Sequence, residues 1–141
     1  MSRVVSLRLR DSQIEALNRA ARRMGRSPSE VASILLEEAL RQRDFAFIEF
    51  RDSPVGRQAY LQGTRLAIWQ VVSVARDYSD DVDRTAAHLS IPAVQVVAAL
   101  NYARAYPEEV ESAIADNEYT AANLERLIPN VRVVKERAPS T

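Results

Sequence analysis

Arg3-Val4-Val5-Ser6-Leu7-Arg8-Leu9-Arg10 is the stretch on which the reading of this chain turns. It alternates: Val5, Leu7 and Leu9 share one face, and Val4, Ser6, Arg8 and Arg10 share the other. A period of two predicts a half-buried strand. No second strand lies within the first 43 residues. A lone strand leaves its backbone N–H and C=O groups unpaired and is unstable by itself. The expected remedy is the same strand from a second copy of the chain. Such a two-fold ribbon would bury Val5, Leu7 and Leu9 and turn Ser6 and Arg8 outward. Its dimensions suit the major groove of DNA.

Two helices are predicted behind it. Asp11 or Ser12 opens the first, and Ser12 with Glu15 has the capping-box spacing. Ile14, Leu17, Ala21 and Met24 form its apolar face, and Gly25 stands where a glycine ends a helix. Ser27-Pro28-Ser29-Glu30 opens the second helix with an N-cap, a proline at the first helical position and an acid at the third. Val31, Ile34, Leu35 and Ala39 are its expected buried stripe. The N-terminus of this helix offers free N–H groups to a phosphate. Arg3, Arg10, Arg26, Ser27 and Ser29 are the candidate phosphate contacts.

The formal net charge is +0, but the charges are unevenly placed. Residues 1–43 carry nine arginines against five acids, net +4. Residues 44–128 carry seven arginines against thirteen acids, net −6. Residues 129–141 hold Arg132, Lys135 and Arg137 against Glu136, net +2. A basic head suits a polyanion, and an acidic middle does not.

Strand, helix, Gly-Arg-Ser-Pro-Ser, helix resembles the ribbon-helix-helix family of Arc- and MetJ-like repressors over residues 3–43. The resemblance implies an obligate dimer whose outward strand positions read bases. Those positions are Val4, Ser6 and Arg8: Arg8 suits guanine O6 and N7, Ser6 bonds either way, and Val4 meets a thymine methyl.

Residues 44–56 connect. Phe45, Phe47, Ile48 and Phe50 make them apolar, as expected of an irregular or extended segment packed on the next domain, and Asp52-Ser53-Pro54 marks a turn. Residues 57–119 read as a small helical domain. Gln62-Gly63 suggests a turn between short extended pieces at 58–61 and 65–67. Helices are expected from Ile68, from Asp83 or Thr85 to Leu89, from Pro92 to Tyr106 and from Pro107 to Asn117. Residues 85–97 have helix-turn-helix spacing. The second of those helices carries no basic residue before Arg104, so packing or dimerisation is the favoured role over DNA contact.

Gly63-Thr64-Arg65-Leu66-Ala67-Ile68-Trp69 with its helical continuation is similar to a small uncharacterised domain of VapB-type antitoxins. Ala67 stands where that family usually has proline. The resemblance implies dimer scaffolding and a partner toxin, commonly a PIN-like ribonuclease. Residues 120–141 are expected to form a short helix from Ala121 to Ile128, stopped by Pro129, and an extended tail. In the tail, Val131, Arg132, Val133, Val134, Lys135 and Arg137 are the candidate toxin-binding residues, on the strength of that resemblance.

Enzymatic chemistry finds no foothold in the sequence. There is no cysteine, one histidine and three glycines. This excludes thiolate metal sites, cysteine nucleophiles and a phosphate-cradling glycine-rich loop. Asp80, Asp81 and Asp83 lack a calcium-loop pattern. No apolar run approaches the roughly 20 residues of a membrane span, and no leader precedes the first strand. The expectation is therefore a mainly α protein with short β, ribbon-helix-helix dimer first and helix-turn-helix-like domain second. It is expected to be cytoplasmic, without enzyme activity, metal or cofactor. Its expected partners are operator DNA, a PIN-like ribonuclease toxin and a second copy of itself, with no membrane. The alternative is a stand-alone regulator whose second domain dimerises or binds an effector.

Overall fold

A computed structural model of the chain describes residues 2–127. They fall into two compact units, divided between Arg41 and Gln42.

The first unit holds α1 (Asp11–Met24) and most of α2 (Pro28–Asp44). Residues 2–10 form neither helix nor strand. This overturns the expected N-terminal ribbon. The described residues contain one sheet, and it lies in mid-chain. The physical reason is the one the alternation itself raises: among the described residues of one chain nothing pairs with residues 3–10. Val5 and Leu7 are consequently 80% and 73% exposed rather than buried.

Local signals set the helix ends. Gln13 Oε1 accepts from the Arg10 N–H at 2.9 Å, so Gln13, not Glu15, answers the start of α1. Gly25 closes α1 in the left-handed region at φ 64°, where a side chain would be strained. Ser27 Oγ accepts from the Glu30 N–H at 3.2 Å, the capping bond expected of it. Ala21 and Val31 are the buried hydrophobic residues of the unit. Leu35, expected in the buried stripe of α2, is exposed, as are Leu36 and Leu40.

The second unit opens with a β-hairpin, β1 (Ile48–Ser53) and β2 (Gly56–Leu61). The strands are antiparallel, with Ile48 opposite Leu61 and Ser53 opposite Gly56. Ser53 Oγ donates to the Gly56 carbonyl at 2.7 Å across the tip. Four helices follow: α3 (Ile68–Asp77), α4 (Val82–Leu89), α5 (Ala93–Ala105) and α6 (Pro107–Leu127). The expected break between two last helices is absent; α6 runs through it. No glycine or proline stands between Glu108 and Leu127 to interrupt the hydrogen-bond ladder.

Leu61, Ile68, Val71, Val96 and Tyr102 lie at the centre of one core. Tyr102 organises its aromatic side, with Phe45 edge-on at 5.6 Å and Tyr106 at 4.9 Å between ring centres. Such tilted pairs add about 0.5–1.5 kcal/mol each beyond their buried area. The connecting segment 44–56 thus belongs to this core through Phe45, Phe47, Ile48 and Phe50.

Candidate functional site

In the first unit, the arginines are the salient chemistry. Arg3, Arg8, Arg10, Arg19, Arg22, Arg23 and Arg26 are all exposed. Val4, Ser6 and Arg8, expected to read bases, lie together in the exposed segment ahead of α1. Arg26 and Ser27, expected phosphate contacts, come together at a cleft of about 530 Å³ between the end of α1 and the start of α2. Arg22 and Asn18 line the same cleft and were not read from the sequence as phosphate contacts. The signal for Arg22 was its place one turn before Gly25. Arg3, Arg10 and Ser29 do not line this cleft. Arg26 faces Glu30 at 3.7 Å, both side chains being more than half exposed. Solvent screens that pair, so it does little to cancel the field of the other arginines. The expected toxin-binding residues, Val131 to Lys135 and Arg137, lie outside the described residues.

The Gly-Thr-Arg motif builds the entry to α3. Gly63 adopts φ 75°, which turns the chain sharply after β2. Thr64 Oγ1 donates to the Leu61 carbonyl at 2.9 Å and accepts from the Leu66 N–H at 3.0 Å. The Thr64 carbonyl accepts from Arg51 at 2.6 Å, and that guanidinium lies 4.9 Å from the centre of the Tyr60 ring. Arg65 is left exposed at the turn.

Helices α4 and α5 meet at 112°, inside the range of helix-turn-helix motifs. Asp81 caps α4 by accepting from the Arg84 N–H at 3.0 Å. This is the local role of that aspartate. Ser90 makes the turn at φ 55°. On the outer face of α5, Val94 and Val97 are exposed. Before Arg104 that face offers no cationic group to a phosphate. His88 Nδ1 sits 3.1 Å from the Tyr78 hydroxyl, half-buried against that ring.

The second unit also holds a cleft of about 230 Å³ among the hairpin, α3, α5 and α6. Ile68, Trp69, Tyr102 and Val110 give it apolar walls. Glu109 and Asp116 reach it from α6 and Arg57 from β2. The Tyr102 hydroxyl donates to Glu109 Oε2 at 2.5 Å. Arg57 donates to the Asp52 carboxylate and to the Phe50 carbonyl, each at 3.3 Å.

Among the described residues no group of three or more His, Cys, Asp or Glu side chains is placed to hold a metal. Among them, too, no single helix is long and apolar enough to cross a membrane. Comparison with protein-family models, with curated proteins and with solved structures finds no match.

Proposed function

We propose that the chain is the antitoxin of a type II toxin–antitoxin pair: a dimeric DNA-binding autorepressor that neutralises a PIN-like ribonuclease in the cytoplasm. The observation that carries this reading is the make-up of the first unit. It leaves Val4, Val5, Leu7, Leu36 and Leu40 exposed beside a field of exposed arginines. Apolar area of that kind on a small unit marks a protein contact. Clustered arginines mark a polyanion. A second copy on the apolar residues and DNA on the arginines account for both. The reading needs no strand at residues 3–10.

The neutralising role is supported by the Gly63-Thr64-Arg65 turn and its helices, in their similarity to VapB-type antitoxins. The test joins two assays on the full chain. One is a gel shift with the DNA upstream of its own gene. The other is the activity of the neighbouring gene's product as a ribonuclease, with and without the chain. The expected result is a shifted band and a silenced nuclease. A shifted band without inhibition would leave a stand-alone regulator. Neither effect would overturn the reading.

A further inference from the structure

We propose that β1 carries a second self-contact: its outer edge pairs with the β1 of another copy, antiparallel and centred on Phe50, so that two hairpins join into one four-stranded sheet. The contact lies within the second unit and depends on neither the DNA nor the toxin reading.

The register of the hairpin says which backbone groups face outward. Just beyond the Ile48–Leu61 pair, the Gln62 N–H donates to the Phe47 carbonyl at 2.7 Å. Hydrogen-bonded pairs alternate with non-bonded ones along an antiparallel ladder. Glu49 and Arg51 therefore bond inward to Tyr60 and Gln58, and Ile48, Phe50 and Asp52 point their N–H and C=O groups away from β2. Leu61, opposite Ile48, turns away likewise: its N–H donates to the Leu66 carbonyl at 2.9 Å. The outer edge of β2 is thus covered there, with Tyr60 bridged to Ala67. The outer edge of β1 is open. Among the described residues β2 is the one strand beside it, and the outward N–H groups of Ile48, Phe50 and Asp52 make no backbone hydrogen bond. The Phe50 carbonyl accepts from Arg57 at 3.3 Å, and a carbonyl has a second lone pair for another donor.

An edge of unpaired N–H and C=O groups is a template for another strand. Charge selects which strand. Glu49 and Arg51 share one face of β1 and pair with each other. In an antiparallel alignment centred on Phe50, Glu49 lies opposite the second copy's Arg51, and Arg51 opposite the second copy's Glu49. Opposite charges directly across a ladder attract, and like charges repel. Sliding one strand by two residues, the smallest step that keeps outward groups face to face, sets Glu49 against Glu49 or Arg51 against Arg51. The strand is complementary to itself in the register that also uses all three outward residues of each copy. The contact closes on a two-fold axis. A strand of six residues buries far less than the roughly 1,200 Å² of a stable interface. The pairing therefore takes hold at high protein concentration or between copies already held together.

Amide hydrogen exchange on the full-length protein at about 1 mM reads the edge without a mutation. The N–H groups of Ile48, Phe50 and Asp52 are expected to exchange at least about tenfold more slowly than in an unstructured peptide of the same sequence. Unprotected amides at those three positions would overturn the pairing. Thiol cross-linking names the occupant, because the chain has no cysteine of its own. A non-hydrogen-bonded pair holds its Cα atoms about 4.5 Å apart and a diagonal pair about 7–8 Å, whereas a disulfide needs less than about 7 Å. Glu49→Cys mixed with Arg51→Cys is therefore expected to cross-link at least about fivefold faster than either variant alone. The mixture also keeps one Glu49–Arg51 pair across the two strands. Equal rates, or faster cross-linking of Glu49→Cys with Ser53→Cys, would overturn the register. Protected amides without any cross-link would mean that a different strand covers the edge and would overturn the second copy as occupant. Arg51 also donates to the Thr64 carbonyl, so if Arg51→Cys unfolds, the parent protein with half of its copies isotope-labelled decides. A nuclear Overhauser contact between the Glu49 Hα of one copy and the Arg51 Hα of the other is expected there, and its absence would overturn the proposal.

Discussion

Arg76, in the last turn of α3, is paired through both terminal nitrogens with the two carboxylate oxygens of Glu111 in the second turn of α6. The residues are 35 positions apart in the chain. The pair ties the start of the helical domain to its last helix from outside the core. Hydrogen bonding from Arg76, with the attraction of its charge, holds the Glu111 carboxyl below the ordinary range.

That depression fixes a pH dependence. A carboxyl whose folded pKa lies below its unfolded value stabilises the fold fully above the unfolded pKa. The contribution is lost as pH falls through the folded pKa. Glu111→Gln should therefore be less stable than the parent at neutral pH, and the gap should close in acid. The pair is exposed, so the gap should also shrink in about 1 M salt. Urea unfolding followed by Trp69 emission measures both. A gap that persists in acid would detach the effect from the ion pair.

Ser90 stands at φ 55° and ψ 45° between α4 and α5. The left-handed region costs a residue with a Cβ about 1–2 kcal/mol. Glycine removes that cost and gives part of it back through greater freedom in the unfolded chain. Ser90→Gly should raise stability by about 0.5 kcal/mol or more, and Ser90→Val should lower it by about 1 kcal/mol or more. Thermal unfolding of the two variants should thus move in opposite directions. A shared direction would place the control of this turn elsewhere.

The helices of the second unit were more legible in their starts than in their ends, because start signals are local: the expected stop at Asn117 is absent and α6 runs on to Leu127. Asp81 stands before α4, Pro92 before α5 and Pro107 at the first turn of α6, and all three act locally. Strands depend on partners, and there the reading divides. The alternation at residues 3–10 is as regular as any in the chain, yet no described segment of the same chain pairs with it. The strand that does form, Ile48–Ser53, pairs with its neighbour across the two-residue tip Pro54-Val55. Phe45, Phe47 and Phe50 carry a signal of burial there, and none that names the segment Ile48–Ser53 pairs with. The cleft was not legible at all. Trp69, Tyr102 and Asp116 are far apart in sequence, and only the packing of α3, α5 and α6 brings them to one wall.

Leu36 and Leu40 are four apart on α2 and share one exposed face. Under the proposed dimer a second copy covers them. Leu36→Ser with Leu40→Ser should then shift sedimentation from dimer to monomer at micromolar concentration. It should leave Trp69 emission unchanged, because Trp69 belongs to the other unit. A double variant that stays dimeric would move the self-contact to another surface, the exposed Val94 and Val97 of α5 being the next to test.

The arginines of the first unit make a separate prediction. Two copies should neutralise several phosphates, so DNA affinity should fall by a few powers of ten, roughly, between 50 and 200 mM salt. Arg22→Ala, at the cleft between α1 and α2, should weaken binding to all sequences alike and flatten the salt slope by about one. Arg8→Ala should cost about 1–3 kcal/mol and relax sequence preference, if Arg8 meets a base. Equal losses on specific and random DNA would assign Arg8 to the phosphates as well.

The last prediction separates the two proposed partners. A chain ending at Leu127 keeps both described units and drops residues 128–141. The deleted stretch alternates Val131 and Val133 against Arg132 and Val134, a pattern that suits addition to a sheet edge of another protein. It also carries Arg132, Lys135 and Arg137, which suit the carboxylate cluster that a PIN-like nuclease uses for its metals. The shortened chain should bind operator DNA within a few-fold of the parent, because the exposed arginines of the first unit are retained. It should no longer silence the nuclease. Both readings come from one preparation: DNA affinity by titration, and nuclease activity at saturating protein. Full inhibition by the shortened chain would move neutralisation onto the acidic second unit, where the exposed outer face of α5 is the surface to examine.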